Sequence, residues 1–326
     1  MTPAIEIEGL RKEYRSRKGR TTAVDGLDLS VPEGCVYGFL GPNGSGKTTT
    51  IRCLLGLIGA TSGCARVFGR EVPAALPAAM RRIGAIVESP ALFPTMSARE
   101  NLRLLAHIDG ISRRRVDDVL DLVGLADRAG DRVRSYSLGM RQRLGLAAAL
   151  LKDPALVVLD EPANGLDPAG IRQVRELLRE LGRQGRTVFV SSHILAEIEH
   201  TCDALAIVHR GRCVASGPVA AVLAAAGPVG LLVTVEDLPA GFDLLRRAAL
   251  PVERRNGHLR VAVGPSEAGA VTALLAAEQL WVTELRAERA TLEDLFLELT
   301  GDGDAGAGAD ADADADAEIR GVGSWT

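Results

Sequence analysis

The octapeptide Gly41-Pro42-Asn43-Gly44-Ser45-Gly46-Lys47-Thr48 sets three glycines ahead of a lysine and a hydroxyl. It matches G-x-x-x-x-G-K-[ST] in full, and it follows a predicted strand and opens a helix, as a phosphate-binding loop must. Without side chains at the glycines, backbone N–H groups can close around an anion. The helix N-terminus behind them adds partial positive charge. Lys47 can then reach the β- and γ-phosphates of a nucleoside triphosphate, and the Thr48 hydroxyl can ligate Mg²⁺.

A second chemical signal lies further on. Leu156-Val157-Val158-Leu159-Asp160-Glu161 is an apolar strand that ends in two carboxylates. Behind a phosphate-binding loop, Asp160 would hold the Mg²⁺ site. Glu161, one residue beyond the strand, could polarise a water for attack on the γ-phosphorus. Two acids at a strand end are common by themselves; their pairing with the upstream loop gives them this meaning.

The elements that must position these groups read as an α/β pattern. Cys35–Leu40, Ile83–Glu88, Ala155–Leu159, Thr187–Ser191 and Ala204–Val208 are continuously apolar runs. Strands buried on both faces of a parallel sheet have that character. Helical periods lie between them, for example Ile171, Val174, Leu177, Leu178 and Leu181 on one face. Ala4–Glu8 and Leu27–Val31 predict an antiparallel edge layer, and a helical subdomain is expected between about Ala91 and Gly145.

A linker is expected over 220–230, and the pattern restarts after it. Leu231–Glu236, Phe242–Ala248, Val252–Arg255, His258–Val263, Ser266–Leu280 and Trp281–Leu285 read as βαββαβ, with Asn256-Gly257 as a hairpin turn. Thr291–Leu299 follows as a helix whose Thr291 and Asp294 form a capping box. That order predicts a small α+β domain of ferredoxin-like type over 231–300, after a nucleotide-binding domain over 1–219. From Gly301 the composition falls to Gly, Ala and Asp, which predicts a disordered acidic tail over 301–326. Calcium-binding repeats need turn glycines between their ligands, and Ala309–Glu318 has none.

Composition narrows the partners. The net charge of −4 sets up no global positive field for nucleic acid, and no nucleic-acid partner is expected. The five cysteines make no C-x-x-C pair and read as isolated thiols in a reducing compartment. Cys213–Val235 carries no charge, but Gly217-Pro218 and Gly227-Pro228 break it below the ~20 residues of a spanning helix. A soluble protein is expected, for which any membrane role must come through a partner.

From about Ile5 to Val219 the chain resembles the ATP-binding subunits of ABC transporters. The resemblance implies a nucleotide site built from Tyr14, whose ring would stack on adenine, and from Gly41 through Thr48 with Thr49. Tyr136-Ser137-Leu138-Gly139-Met140-Arg141-Gln142-Arg143 is similar to the family signature. Its residues Ser137, Leu138, Gly139 and Met140 would cap the γ-phosphate held by a second ATPase subunit. Asn164, Gly165, Leu166 and Asp167 resemble the loop through which the two subunits touch. His193 matches the family's switch histidine, and Lys47, Glu161 and His193 form the implied catalytic set. Glu88 stands where the family normally has Gln; it keeps a side-chain oxygen at the same reach and joins Thr48 and Asp160 as an implied Mg²⁺ ligand.

Glu88, the Ser137-Leu138-Gly139-Met140 variant and the added C-terminal domain resemble bacitracin- and lantibiotic-type resistance exporters. Thr291-Leu292-Glu293-Asp294-Leu295-Phe296 also resembles the daunorubicin-type group. The implied activity is ATP hydrolysis that powers export through a separate membrane permease. The rival from another class is a non-transport ABC ATPase acting on nucleic acid or the ribosome. Such proteins usually carry a long coiled coil or two cassettes, whereas this chain has one phosphate-binding loop and no sustained heptads from Lys47 to Ser137. A small-molecule kinase would leave the signature, the His193 segment and the C-terminal domain without a role.

Tyr14 separates two readings of its own segment: an adenine-stacking ring, or a tyrosine in a basic hairpin with Arg11, Lys12, Arg15, Arg17 and Lys18. Lost stacking is uniform binding energy, so Tyr14→Ala is expected to raise KM for ATP several-fold with little change in kcat. The underlying loss is ~1–3 kcal/mol. An unchanged KM would leave Tyr14 as a hairpin residue only.

Overall fold

The computed structural model describes residues 2–16, 19–88, 90–225, 228–289 and 291–301. The chain divides between Val219 and Ala220 into two units. In the first, β1 (Ile5–Ser16) and β2 (Gly19–Val31) pair antiparallel, from Ile5↔Val31 to Ser16↔Gly19. They run longer than the short strands expected, because the hairpin beyond them keeps pairing. β3 (Val36–Leu40) leads into α1 (Lys47–Leu54), and β4 (Ser62–Val67) and β5 (Arg70–Val72) complete an edge layer of order β2-β1-β4-β5.

After α2 (Leu76–Met80) comes β6 (Ile83–Ile86), which stops two residues short of the expected end, so Glu88 lies outside the strand. The helical region holds α3 (Ala98–Ile108), α4 (Arg113–Leu122) and α5 (Leu138–Leu150). β7 (Leu156–Leu159), α6 (Pro168–Arg183), β8 (Thr187–Ser192), α7 (Leu195–Thr201), β9 (Ala204–His209) and β10 (Arg212–Pro218) close the unit. The second sheet has the order β10-β9-β3-β8-β7-β6. Its strands from β9 to β6 are parallel, with β10 as an antiparallel edge.

Every residue of β3, β7 and β8 is buried, which is why these strands show unbroken rather than alternating apolarity. Phe39 and Phe189, with ring centroids 5.2 Å apart, join Ile5, Leu27, Ile51 and Leu54 in the core between the two sheets. Each such side chain contributes roughly 1.5–3 kcal/mol by leaving water. The register decides where the chemistry goes. Leu40 pairs with Ser192 and Leu159 with Val190, so the residues that follow β3, β7 and β8 emerge along one carboxyl edge.

Residues 220–230, expected as a linker, instead carry most of α8 (Val219–Ala225) and the start of β11 (Pro228–Val235). The second unit continues with α9 (Leu238–Arg247), β12 (Val252–Arg255), β13 (His258–Val261), α10 (Ala268–Ala277), β14 (Val282–Arg289) and α11 (Leu292–Gly301). Its antiparallel sheet has the order β12-β13-β11-β14, the ferredoxin-like arrangement. Asn256 and Gly257 turn the hairpin with φ of 47° and 82°, as a type I′ turn requires. Asp294 Oδ2 accepts from Thr291 N at 3.0 Å and Thr291 Oγ1 accepts from Asp294 N at 3.2 Å, which caps α11 reciprocally. Gly301 ends that helix rather than beginning the tail, and residues 302–326 lie outside those described.

One close approach sets β6 against α5. A Cβ on Gly84 would stand 2.0 Å from the Ala149 carbonyl oxygen, a backbone atom that cannot swing aside. Gly84→Ala is therefore expected to lower the stability of the full chain by about 1–3 kcal/mol. A urea midpoint equal to that of the parent would contradict this packing.

Candidate functional site

The phosphate-binding loop is built where no side chain fits. A Cβ on Gly41 would meet Val208 O at 2.3 Å, and one on Gly46 would meet Ala23 O at 2.4 Å. Gly44 and Gly46 take φ of 77° and 102°, a region glycine enters without steric cost. Pro42 is half-buried and Asn43 exposed on the loop's outer side, and Thr48 and Thr49 are half-buried in the first turn of α1. Lys47, only 5% exposed, folds back over the loop. Its Nζ donates to the carbonyls of Gly41 at 2.7 Å and Pro42 at 3.2 Å. Ser45 is buried, and its hydroxyl has no hydrogen-bond partner among the described residues. A glycine cradle, a buried ammonium and an orphaned hydroxyl together suit a phosphate chain.

Asp160 follows β7 and is 4% exposed. Ser191 Oγ, fully buried at the end of β8, donates to Asp160 Oδ1 at 2.5 Å and accepts from Glu161 N at 2.9 Å. One hydroxyl thus fixes both acids. Glu161 has φ of 49°, a left-handed conformation that costs a residue with a Cβ roughly 1–2 kcal/mol and turns the chain sharply out of the strand. Its carboxylate then spans two elements. Oε1 lies 3.3 Å from Lys47 Nζ, and Oε2 lies 2.8 Å from His193 Nδ1. A carboxylate only accepts, so the proton of the second contact sits on Nδ1.

Behind His193, Glu197 on α7 is 9% exposed, and its Oε1 has no partner among the described residues. Burial raises the Glu197 carboxyl above its usual range, against the opposing pull of Arg175 and His193. Glu161, Ser192, His193 and Glu197 share one hollow with Arg175. Sequence reasoning missed both Ser191 and Glu197. A hydroxyl at the buried end of an apolar strand, two residues before His193, was the signal for the first. Nothing in the local pattern marks the second.

Ser137 to Met140 line a second hollow with Gly165, Leu166 and Asp167, while Asn164 lines the first. Ser137 caps α5 by accepting from Met140 N at 3.3 Å, and Asp167 caps α6 by accepting from Gly170 N at 2.8 Å. Leu138 and Gly165 touch: a Cβ on Gly165 would stand 2.9 Å from Leu138 Cδ2. Gly139 and Leu166 are neighbours in the same place. Asn164 turns the chain through a bond from its N–H to Glu161 O at 3.1 Å, which joins this loop to the catalytic strand end.

Two expected residues have neighbours that bear on their roles. Tyr14 lies in the β1–β2 hairpin opposite Thr21, with Lys12 Nζ 4.9 Å from its ring centroid. Its hydroxyl is buried without a partner among the described residues, and Arg17 and Lys18 fall outside them. Glu88, expected as a metal ligand, has its carboxylate engaged by the Arg52 guanidinium, with the side chain 55% exposed. Among the described residues no cluster of three acids, histidines or cysteines could hold a metal unaided. Mg²⁺ is suited to fewer: it commonly takes one or two carboxylates and completes its shell with phosphates and water. A buried Asp160 held by a neutral hydroxyl, with Thr48 opening α1, fits that demand.

Residues 24–164 match the ABC transporter family. An uncharacterised ABC transporter ATP-binding protein of Bacillus subtilis (strain 168) is 40% identical over 304 residues, covering 93% of this chain and 97% of that protein. The bacitracin transport ATP-binding protein of Bacillus licheniformis is 48% identical over 214 residues, 65% of this chain and 69% of the relative. Among solved structures, an ATP-binding subunit of an ABC transporter is 30% identical with a TM-score of 0.61, covering 69% of this chain and 93% of that one. None of the described helices is long and apolar enough to cross a membrane.

Ser191 serves as a test of the geometry. Ser191→Ala should lower kcat for ATP hydrolysis about 10²-fold, the scale of a small misplacement of catalytic groups, while KM for ATP changes little. Ser191→Thr keeps the hydroxyl and should recover much of the rate. Wild-type kcat in the alanine variant would show that Asp160 and Glu161 hold their places without it.

Proposed function

The chain belongs to the ATP-binding proteins of ABC transporters, and from that membership we propose that Glu161 is the group that polarises the attacking water. The observation that carries this reading is the Glu161 carboxylate, which bridges Lys47 Nζ at 3.3 Å and His193 Nδ1 at 2.8 Å beside the buried Asp160. ATP hydrolysis coupled to transport is the activity of the family, and the roles follow from position. Gly41 through Thr49 wrap the phosphates, and Lys47 meets the β- and γ-oxygens. Tyr14 offers its ring to adenine. Thr48 and Asp160 would hold Mg²⁺, which would supply charge neutralisation on the phosphate oxygens.

The γ-phosphate would draw Lys47 away from Glu161, because a multiply charged group outbids one carboxylate for the ammonium. Glu161 is then free to orient water, and His193 stays tethered to it. Ser137, Leu138, Gly139 and Met140 at the N-terminus of α5 would face the γ-phosphate of a second subunit, with Asn164 through Asp167 at the contact between subunits. An N-terminal helix end suits that charge. Closing of such a dimer would act on a membrane permease through the surface from Glu88 to Glu100, where Phe93 is 53% exposed. The subunit would sit on the inner face of the membrane through that permease.

The similarity to a bacitracin transport protein supports export of an antibiotic or peptide. It favours transport over the rival action on nucleic acid or the ribosome. Glu161→Gln is expected to bind ATP as before and to lose nearly all turnover, about 10²-fold or more in kcat. The ATP-bound variant should also be more dimeric by sedimentation, since hydrolysis normally opens the pair. Wild-type kcat at saturating Mg-ATP would remove Glu161 from this role.

A further inference from the structure

Arg52 is a buried cation one turn along α1 from Thr48, and it is 7% exposed. Residues four apart share a helix face, and long helical side chains lean toward the N-terminus. Its charge therefore lies on the side of α1 that carries Thr48. Among the described residues its ion-pair partner is Glu88, whose carboxylate it engages directly. Glu88 has φ of 63°, a left-handed conformation that a residue with a Cβ holds only when its neighbours insist on it. The ion pair supplies that hold: it ties the segment after β6 to the helix that opens at the phosphate-binding loop.

The resemblance supplies a glutamine at the position of Glu88, and the difference is one negative charge. Beside a triphosphate, an uncompensated carboxylate repels the ligand. A buried guanidinium paired with it restores the net charge of the neutral amide. We propose that Arg52 is a charge-balancing residue of the nucleotide site, and that Glu88 serves this pair rather than ligating Mg²⁺. The inference rests on the reading that ATP binds at the loop from Gly41 to Thr48. It makes two residues, thirty-six apart in sequence, one electrostatic unit. Removal of the cation alone should hurt nucleotide binding, and removal of both charges should restore it.

The test uses the full chain and measures the dissociation constant of ATP directly, in EDTA and again with Mg²⁺, for Arg52→Met, Glu88→Gln and the double variant. Methionine fills the arginine's volume without charge, the half-exposed Glu88 left behind can be solvated, and circular dichroism and Tm check the fold of each variant. Arg52→Met is expected to weaken ATP binding in EDTA about fivefold, because the Glu88 carboxylate, though 55% exposed and partly screened by water, loses its cation one turn along α1 from Thr48. The double variant should return to within about threefold of the parent. Equal weakening in Arg52→Met and in the double variant would make Arg52 a packing residue and overturn the proposal. So would an unaffected Arg52→Met. A Glu88→Gln variant that shifts only the Mg²⁺ requirement, with or without Arg52, would make Glu88 a metal ligand. If the parent itself bound no ATP, the reading of the loop would fall instead.

Discussion

Parallel pairing of β3 with β8 and of β8 with β7 is the constraint from which the site takes its dimensions. Leu40 is level with Ser192 and Leu159 with Val190, so the turns that leave these strands open at one edge of the sheet. Ligands of open α/β sheets bind outside the carboxyl ends of strands for this reason. Here three such ends contribute unlike chemistry: an N–H cradle with Lys47, two carboxylates, and two hydroxyls with an imidazole. A one-residue slip of β7 would turn Asp160 into the sheet and put an apolar side chain at the edge. The edge layer on the other side of the core holds β3 and α1 from behind, through Ile5, Leu27 and Ile51.

Charge is managed within this frame by pairing at short range. The Lys47–Glu161 contact at 3.3 Å corresponds to roughly 5 kcal/mol of Coulomb attraction at an effective dielectric of ~20, before desolvation is subtracted. That pair keeps two buried or half-buried charges compatible with a low-exposure site, and it can be exchanged for a stronger partner. Asp160 has a hydroxyl in place of a cation, which leaves it able to take a metal. The buried Arg52 and the exposed Glu88 form a third pair of charges, one turn along α1 from Thr48. In each case a buried ion is matched with a group that limits its desolvation penalty.

The second unit shows how far pattern reading extends. Its βαββαβ order followed from β-rich runs, a turn dipeptide and a capping box, and the antiparallel order β12-β13-β11-β14 agrees with it. Boundaries were less legible. The alanine-rich 220–225 segment looked like a linker because Gly and Pro punctuate its flanks, yet α8 occupies it. Phe242 was read as starting a helix that begins at Leu238, since the cap at Asp237, which accepts from Ala240 N at 2.9 Å, was passed over. Period and punctuation locate an element better than they end it.

By itself the sequence determined the elements and the chemical inventory: the glycine spacing, the strand that ends in Asp160 and Glu161, the apolar runs, and the caps at Thr291 and Asp294. These are local properties, set by backbone conformation, hydrogen-bond chemistry and the two side-chain periods. Tertiary structure alone decided which groups meet. Ser191 touches both acids across thirty-one and thirty residues, Glu161 reaches Lys47 and His193, and Arg52 takes Glu88 as its partner. No spacing rule encodes such contacts, because they arise from strand order and register. Glu88 marks the boundary most clearly: its residue type was readable as a departure, but its partner was a matter of packing.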